Sequence, residues 1–268
     1  MKTEDRNFVD VLFKGEIEAV TRGLEDGLYS WEELNQPHNA QGSTPLISAC
    51  QMGLDMVMHF LLERGADATL CNRSNQTALH VSQPDLQKEL LTAMLRPLAH
   101  PAQLLEVAWR GDIHTLEHLL IETDSVDVNI QNQNGLTPLM LAVRDVDLFE
   151  GFQGTMGWDY DPTKVVKTLL AQSANMDIQD HKSFTVLTYV SQIKSSIKDE
   201  LLHIILERQT QSAVPAPVVP EFHFPAEHCN NSHSLSSSHM FSTSANAKEA
   251  KHPFAYIAVE DDHNNVSQ

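Results

Sequence analysis

The chain has 268 residues, enough for one substantial core or two small ones, and its 41% hydrophobic and 20% charged residues indicate a folded region. Eighteen Lys and Arg against 36 Asp and Glu leave a net charge of −18, which repels phosphate backbones and anionic lipid heads and sets nucleic acid and membranes aside as partners. The cysteines, Cys50, Cys71 and Cys229, lack paired spacing, so they build neither a disulfide framework nor a zinc site and suit a reducing compartment.

The N-terminus is polar, without the apolar core of a signal peptide, and no apolar run approaches the roughly 20 residues that span a bilayer. A cytoplasmic or nuclear location, or both, is expected. Residues 1–35 read as a degenerate helical unit: Arg6 stands 18 positions before Leu24, and Gly15 stops a first helix in the left-handed conformation.

The next unit, about 42–74, opens on Gly42-Ser43-Thr44-Pro45-Leu46. The Thr44 side chain caps a helix, Pro45 takes the first helical position where a missing N–H costs nothing, and Leu46 and Ala49 lie on one face. Gly53 ends that helix, Val57, Phe60 and Leu61 stripe a second, and Gly65-Ala66-Asp67 turns away. Thr77, 33 residues after Thr44, begins the following unit, about 75–98, with Ala78, Leu79 and His80; Pro84 predicts a short first helix, and Leu86, Leu90 and Met94 stripe the second. Thr44 leads to Leu62 and Thr77 to Leu95, both at 18 positions.

In the unit at about 99–133, Ala102 replaces the Thr and leads to Leu120 at the same spacing, Gly111 closes the first helix, and Ile113 and Leu116 join Leu120 on the second. Only six residues separate Leu95 from Ala102, against fourteen between Leu62 and Thr77. A connecting finger is therefore predicted to be missing there, leaving a break in the groove.

Gly135-Leu136-Thr137-Pro138-Leu139 repeats the motif in the unit at about 134–182. Here 33 positions separate Thr137 from Leu170, and 48 separate Thr137 from Thr185. Both exceed the expected spacing by 15, which locates one insertion, at about 146–161, between the unit's two helices. Val165, Val166 and Leu169 stripe the second helix. The last unit, about 183–209, carries polar Ser191, Lys194, Ser195 and Lys198, as a solvent-facing cap does.

These motifs, with Leu61-Leu62-Glu63-Arg64-Gly65-Ala66-Asp67, resemble the ankyrin-repeat family over roughly residues 5–209. The resemblance implies an all-α solenoid of stacked helix-turn-helix units with projecting β-hairpin fingers, whose concave face of fingers and first helices binds a protein. Thr44, Pro45, Leu46, Gly53, Gly65, Thr77, His80, Gly111, Thr137, Pro138 and Leu139 are its repeat-structural residues. The family's His after Leu survives only as His80; Ile47, Met140 and Thr188 replace it elsewhere. Each helix pair is too thin to bury its own stripe, so stability must come from stacking.

Finger-tip residues Asn72, Arg73 and Asn75, with Asn132 and Asn134, are candidate partner contacts by this resemblance; Asn and Gly are also simply good turn formers. In the insertion, Phe149, Phe152, Trp158 and Tyr160 stand among acidic residues, a composition shared by binding hot spots and by rings that fold back over an exposed helix end. His114 and His118 have metal-ligand spacing on a helix but no third ligand. No phosphate-binding loop, nucleophile elbow or supported carboxylate pair appears, so neither catalysis, cofactor nor metal is expected.

Residues 210–268 change character: Pro215, Pro217, Pro220 and Pro225 precede a Ser/His-rich run without apolar periodicity, which predicts a disordered tail. Its six acidic and two basic residues leave −14 of the charge to the repeats. Phe222, Phe224 and Pro253-Phe254-Ala255-Tyr256-Ile257 are candidate short linear motifs. The expected function is a non-enzymatic, monomeric interaction module acting as adaptor or scaffold that binds a partner through the concave surface, or alternatively as a stoichiometric inhibitor or regulator of an enzyme or transcription factor.

Overall fold

Helix formation follows the repeated motif. In a computed structural model that describes residues 7–95, 102–122 and 126–212, Thr44 and Thr137 sit in extended backbone and their side-chain oxygens accept from the N–H of Ile47 and Met140, at 3.4 and 3.3 Å. Each satisfies one donor that the first helical turn leaves unpaired. Thr77 does so differently: its N–H and hydroxyl both meet His80 Nδ1, at 3.3 and 2.8 Å.

The helices are α1 (Phe8–Phe13), α2 (Ile17–Glu25), α3 (Pro45–Met52), α4 (Asp55–Glu63), α5 (Ala78–Val81), α6 (Pro84–Ala93), α7 (Ala102–Arg110), α8 (Ile113–Glu122), α9 (Pro138–Arg144), α10 (Val146–Glu150), α11 (Pro162–Ala171), α12 (Val186–Gln192) and α13 (Ile197–Ser212). A 3-10 turn, Trp31–Leu34, precedes α3. The pairs are α1–α2, α3–α4, α5–α6, α7–α8, α9–α11 and α12–α13. First helices stack on first helices (α3 on α5, α7 on α9, α9 on α12) and second on second (α4 on α6, α8 on α11, α11 on α13). As Pro84 predicts, α5 is one turn long; the proline then starts α6 at its first position.

The buried apolar residues form one seam from Phe8 to Ile205, including Leu46, Leu79, Leu104 and Leu139 of the first helices and Leu61, Leu90, Leu116 and Leu169 of the second. Burial of this kind contributes about 25 cal/mol per Å² of apolar surface, and it accrues only where units meet. Gly53 stops α3 in the left-handed region, at φ 70°, as expected.

All described residues belong to the first of two units, Met1–Pro217; the second, Val218–Gln268, lies outside the described residues together with the linear motifs proposed for the tail. α13 carries helix to Ser212, three residues past the boundary expected at 209.

Candidate partner-binding face

The fingers are tight turns rather than paired strands; no strand forms among the described residues. One main-chain bond of 3.0 Å closes each: His38 N–H to Ser43 O, Asn72 to Gln76, Asn132 to Leu136 and Asp180 to Phe184. A single rule of sequence builds them. Two residues before each motif Thr the backbone turns left-handed, at Gly42, Asn75, Gly135 and Ser183. Five residues before it, Asn39, Asn72, Asn132 or Asp180 accepts backbone N–H groups inside the turn. Asn and Asp close such turns by mimicking a backbone carbonyl.

Asn72 and Asn132 are therefore turn-closing residues, each 8% exposed, with little side chain to offer a partner. The Asn132 amide also donates to Thr69 Oγ1 at 2.9 Å. Arg73 is exposed, and its Nη1 donates to Ala40 O of the preceding finger at 2.9 Å. Asn75 is half-buried and accepts a short bond from Lys182 Nζ.

The groove has no break at the missing finger. The turns at 72–76 and 132–136 dock directly: Cys71 N–H donates to Asn134 Oδ1 at 2.9 Å, and Asn134 Nδ2 returns a bond to Cys71 O at 3.3 Å. Where the sequence leaves too few residues for a finger before α7, the turns on either side meet. Asn134 thereby spends its amide within the row. Outward on either side the pattern continues, through Arg73 N–H to Gln41 O at 2.9 Å and His181 N–H to Asn134 O at 3.2 Å.

Under the row lies an ionic cluster that the sequence reading missed. The buried Asp145 carboxylate accepts from Trp109 Nε1 at 2.6 Å and from Arg144 Nε and Nη2 at 2.9 and 2.6 Å, with His80 Nε2 at 3.8 Å. Arg144 also reaches Thr69 O of the finger at 3.1 Å. Burial pushes the Asp145 pKa up, but Arg144 and these donors outweigh it and hold the group below the usual carboxylate range. Burial also lowers the His80 pKa, only partly opposed by Asp145. Nearby, Tyr189 hydroxyl donates to buried Asp180, and burial raises the Tyr189 pKa. A signal was present: Trp109 and Arg144 both stand seven residues after the first position of their motif, where the unit at about 42–74 has Gln51.

The insertion takes its fold-back reading. Phe149, on α10, is 1% exposed, edge-on to Trp109 (centroids 5.2 Å apart) and stacked on Tyr160 at 6.0 Å. It is a core residue and has no surface to present to a partner. Asp161 N–H donates to Gly111 O at 2.9 Å, and Trp158 lies over the Arg110 guanidinium at 5.2 Å while its Nε1 donates to Arg110 O at 3.0 Å. Gly111, at φ 64°, has no room for a Cβ, which would stand 2.7 Å from the Tyr160 ring. In the other direction Asp147 accepts the N–H of Lys194 and Ser195 at 3.0 Å, tying the insertion to the last unit. Phe152, Trp158 and Tyr160 stay half-buried.

Two clefts lie on the second-helix side. One of about 970 Å³ is lined by His59, Glu63, Asp85, Lys88 and Glu89; another of about 630 Å³ lies between α6 and the insertion, over Leu91, Leu95, Phe152, Met156 and Trp158. His114 and His118 do not converge: they pair with Asp159 at 3.5 Å and Glu122 at 3.1 Å, and no group of side chains suited to a metal occurs among the described residues. None of the described helices is long and apolar enough to cross a membrane.

Stacked helical pairs that share one seam and project a row of turns from one edge define a repeat solenoid. Residues 41–73 and 134–181 match the ankyrin-repeat family model, the second stretch spanning the insertion. The chain carries ankyrin-repeat sequence in these two stretches. Among solved structures it is similar to the ankyrin repeat protein EF0377 (23% identity, 77% of this chain and 99% of that one, TM-score 0.31). It is likewise similar to an ankyrin repeat domain, ABAYE2397, from Acinetobacter baumannii AYE (19% identity, 77% and 99%, TM-score 0.32). Ankyrin repeats are generally protein–protein interaction modules.

Proposed function

We propose that this chain is a non-enzymatic adaptor or scaffold that holds a partner protein on its finger row and first helices. The observation that carries the reading is the hydrogen-bonded continuity of that row across the unit without a finger, from Gln41 through Arg73 and from Cys71 through Asn134 to His181. A surface fixed before binding loses little freedom on association, so contact energy goes into affinity. The Arg144–Asp145 cluster supports the row from below by holding Thr69 O. A cytoplasmic or nuclear setting accompanies the proposal, since Cys50 and Cys71 are both free and buried.

The test places a bulky side chain at two exposed tip positions, Ser74→Trp with Gln133→Trp, in the full chain. Proteins recovered by affinity purification with the unaltered chain are expected to be lost from the double variant while its unfolding midpoint stays unchanged. An undiminished set of partners would remove the finger row from the binding role. An adaptor further requires that two recovered proteins bind at once; strict competition between them points instead to an inhibitor.

A further inference from the structure

The charge at the tips of the finger row is opposite to that of the molecule. Among the described residues exposed carboxylates lie on second helices and their flanks, with Glu16, Glu18 and Glu25 on or beside α2, Asp55 and Glu63 on α4, and Glu117 and Glu122 on α8, and at Asp127 and Asp177 on the connections leading into two of the turns. In the turns at 38–43, 72–76, 131–136 and 180–184 the exposed ionised side chains are Arg73 and Lys182, with His181 beside them. The one carboxylate in these turns, Asp180, is buried; its Oδ1 accepts two backbone N–H groups and its Oδ2 the Tyr189 hydroxyl. Asp145, below the row, is occupied by Arg144, Trp109 and His80.

The two cations are held in one patch. Arg73 is fixed to Ala40 O, and Lys182 Nζ bonds Asn75, two residues further along the same turn as Arg73. The His181 ring packs beside Gly135, where an added Cβ would stand 2.8 Å from its Cδ2. Arg73 and Asn75 of one turn and His181 and Lys182 of another thus form one run, with the turn at 132–136 between them, and Arg73, His181 and Lys182 are exposed. A lysine and an arginine held this way are preorganised for carboxylates, and Arg is suited to bidentate pairing.

We propose that the finger tips recognise an acidic, extended segment of the partner, its Asp or Glu carboxylates meeting Arg73 and Lys182. This rests on the finger row being the docking face. A polyphosphate chain such as nucleic acid is disfavoured by the −14 that the repeats carry, whereas a short acidic peptide meets mainly the local field.

The test is selection from a displayed library of random peptides with the full chain as bait. Recovered peptides are expected to contain clustered Asp or Glu and to bind less tightly as salt rises. Binding is expected to fall about tenfold or more in R73E/K182E, because each pairing becomes a repulsion. Charge-conserving R73K/K182R is expected to retain most of it, and Lys-for-Glu exchanged peptides to regain affinity for R73E/K182E. That swap is read only if circular dichroism shows the reversal variant folded; otherwise R73Q/K182Q carries the comparison. Peptides without acidic enrichment, lost with S74W/Q133W but indifferent to charge reversal, would overturn the acidic-segment proposal and leave the docking face standing. Peptides indifferent to both pairs of substitutions, or none recovered, would overturn both. Preference for a single-stranded oligonucleotide over acidic peptides, with the same sensitivity to reversal, would assign the patch to phosphate and refute the peptide.

Discussion

Phe149→Ala separates a structural insertion from a binding loop. The ring is 1% exposed and contacts Trp109 edge-on at 5.2 Å and Tyr160 in a stack at 6.0 Å. Truncating a buried Phe costs about 3–5 kcal/mol, from lost transfer energy and the cavity left behind. Two aromatic partners place this site toward the upper end, since each such pair contributes roughly 0.5–1.5 kcal/mol beyond area. Domains of ordinary stability have only about 5–15 kcal/mol in total, so the folded population itself is at stake.

The control is Phe152→Ala, three residues along and half-buried, where a loss of about 1 kcal/mol is expected because only part of the ring leaves water. Urea unfolding of both variants, followed by far-ultraviolet circular dichroism, measures the difference through the midpoint at unchanged slope. A Phe149→Ala protein within about 1 kcal/mol of the parent, or indistinguishable from Phe152→Ala, would refute the clasp described here.

Gly135→Ala is expected to destabilise more than Gly53→Ala: both sit at positive φ, worth about 1–2 kcal/mol to a side chain, but at Gly135 the new Cβ would also stand 2.8 Å from the His181 backbone nitrogen, while Gly53 faces open space. Thermal midpoints rank the pair, and equal losses would count against finger-to-finger packing at 135. Asp145→Asn is expected to cost about 3–5 kcal/mol by leaving Arg144 buried without its counter-charge; denaturant titration reads it, and a neutral result would show the cluster to be solvated. Acidification is expected to destabilise in two legs. The folded pKa values of His80 and Asp145 lie below their unfolded values, so the unfolded chain takes up protons first; stability is full above the ordinary histidine pKa and falls as pH drops through the His80 window, then again through the carboxylate window. Urea midpoints across pH check the sign, and His80→Gln should shrink the first leg, which His38, its pKa also lowered by burial, shares. The Cys50 thiol, pushed up to about 11 by burial, is expected to react with a thiol reagent only on unfolding, and rapid labelling of native protein at Cys50 would contradict its burial.

The stacked fold was legible because its determinants are local and periodic. Thr44, Pro45 and Gly53 each answer a requirement of a helix end, and the 18-residue spacing to Leu62 measures one helix pair regardless of its surroundings. The insertion's position was legible by the same arithmetic. Its packing was not, because Phe149 and Phe152 differ only in which neighbours they meet, and Trp109 lies 40 residues before Phe149. Likewise, an Asn or Asp five residues before each motif Thr was visible, but whether its side chain closes the turn or faces a partner depends on backbone φ at residues such as Asn75 and Gly135. The continuity of the row escaped for a related reason: a short connection shows that a finger is absent, not that the fingers on either side are close enough for Asn134 to bond Cys71.

The missing finger and the insertion belong to one arrangement. In a stack where each unit leans on its neighbours, a unit whose connection is too short for a finger loses the backbone bonds that a finger makes to the next, and only six residues separate Leu95 from Ala102 at the start of α7. The loss is met at both edges. On the finger edge Asn132 and Asn134 reach over to Thr69 and Cys71; on the opposite edge the insertion grips the end of α7 through Trp158, Tyr160 and Asp161 and reaches forward to Lys194 through Asp147. Because α10 leaves from the far end of α9, this second brace occupies none of the finger row. The unit of α7 and α8 is thus braced at both edges while the row of turns stays open from end to end, with the basic pair Arg73 and Lys182 exposed on it.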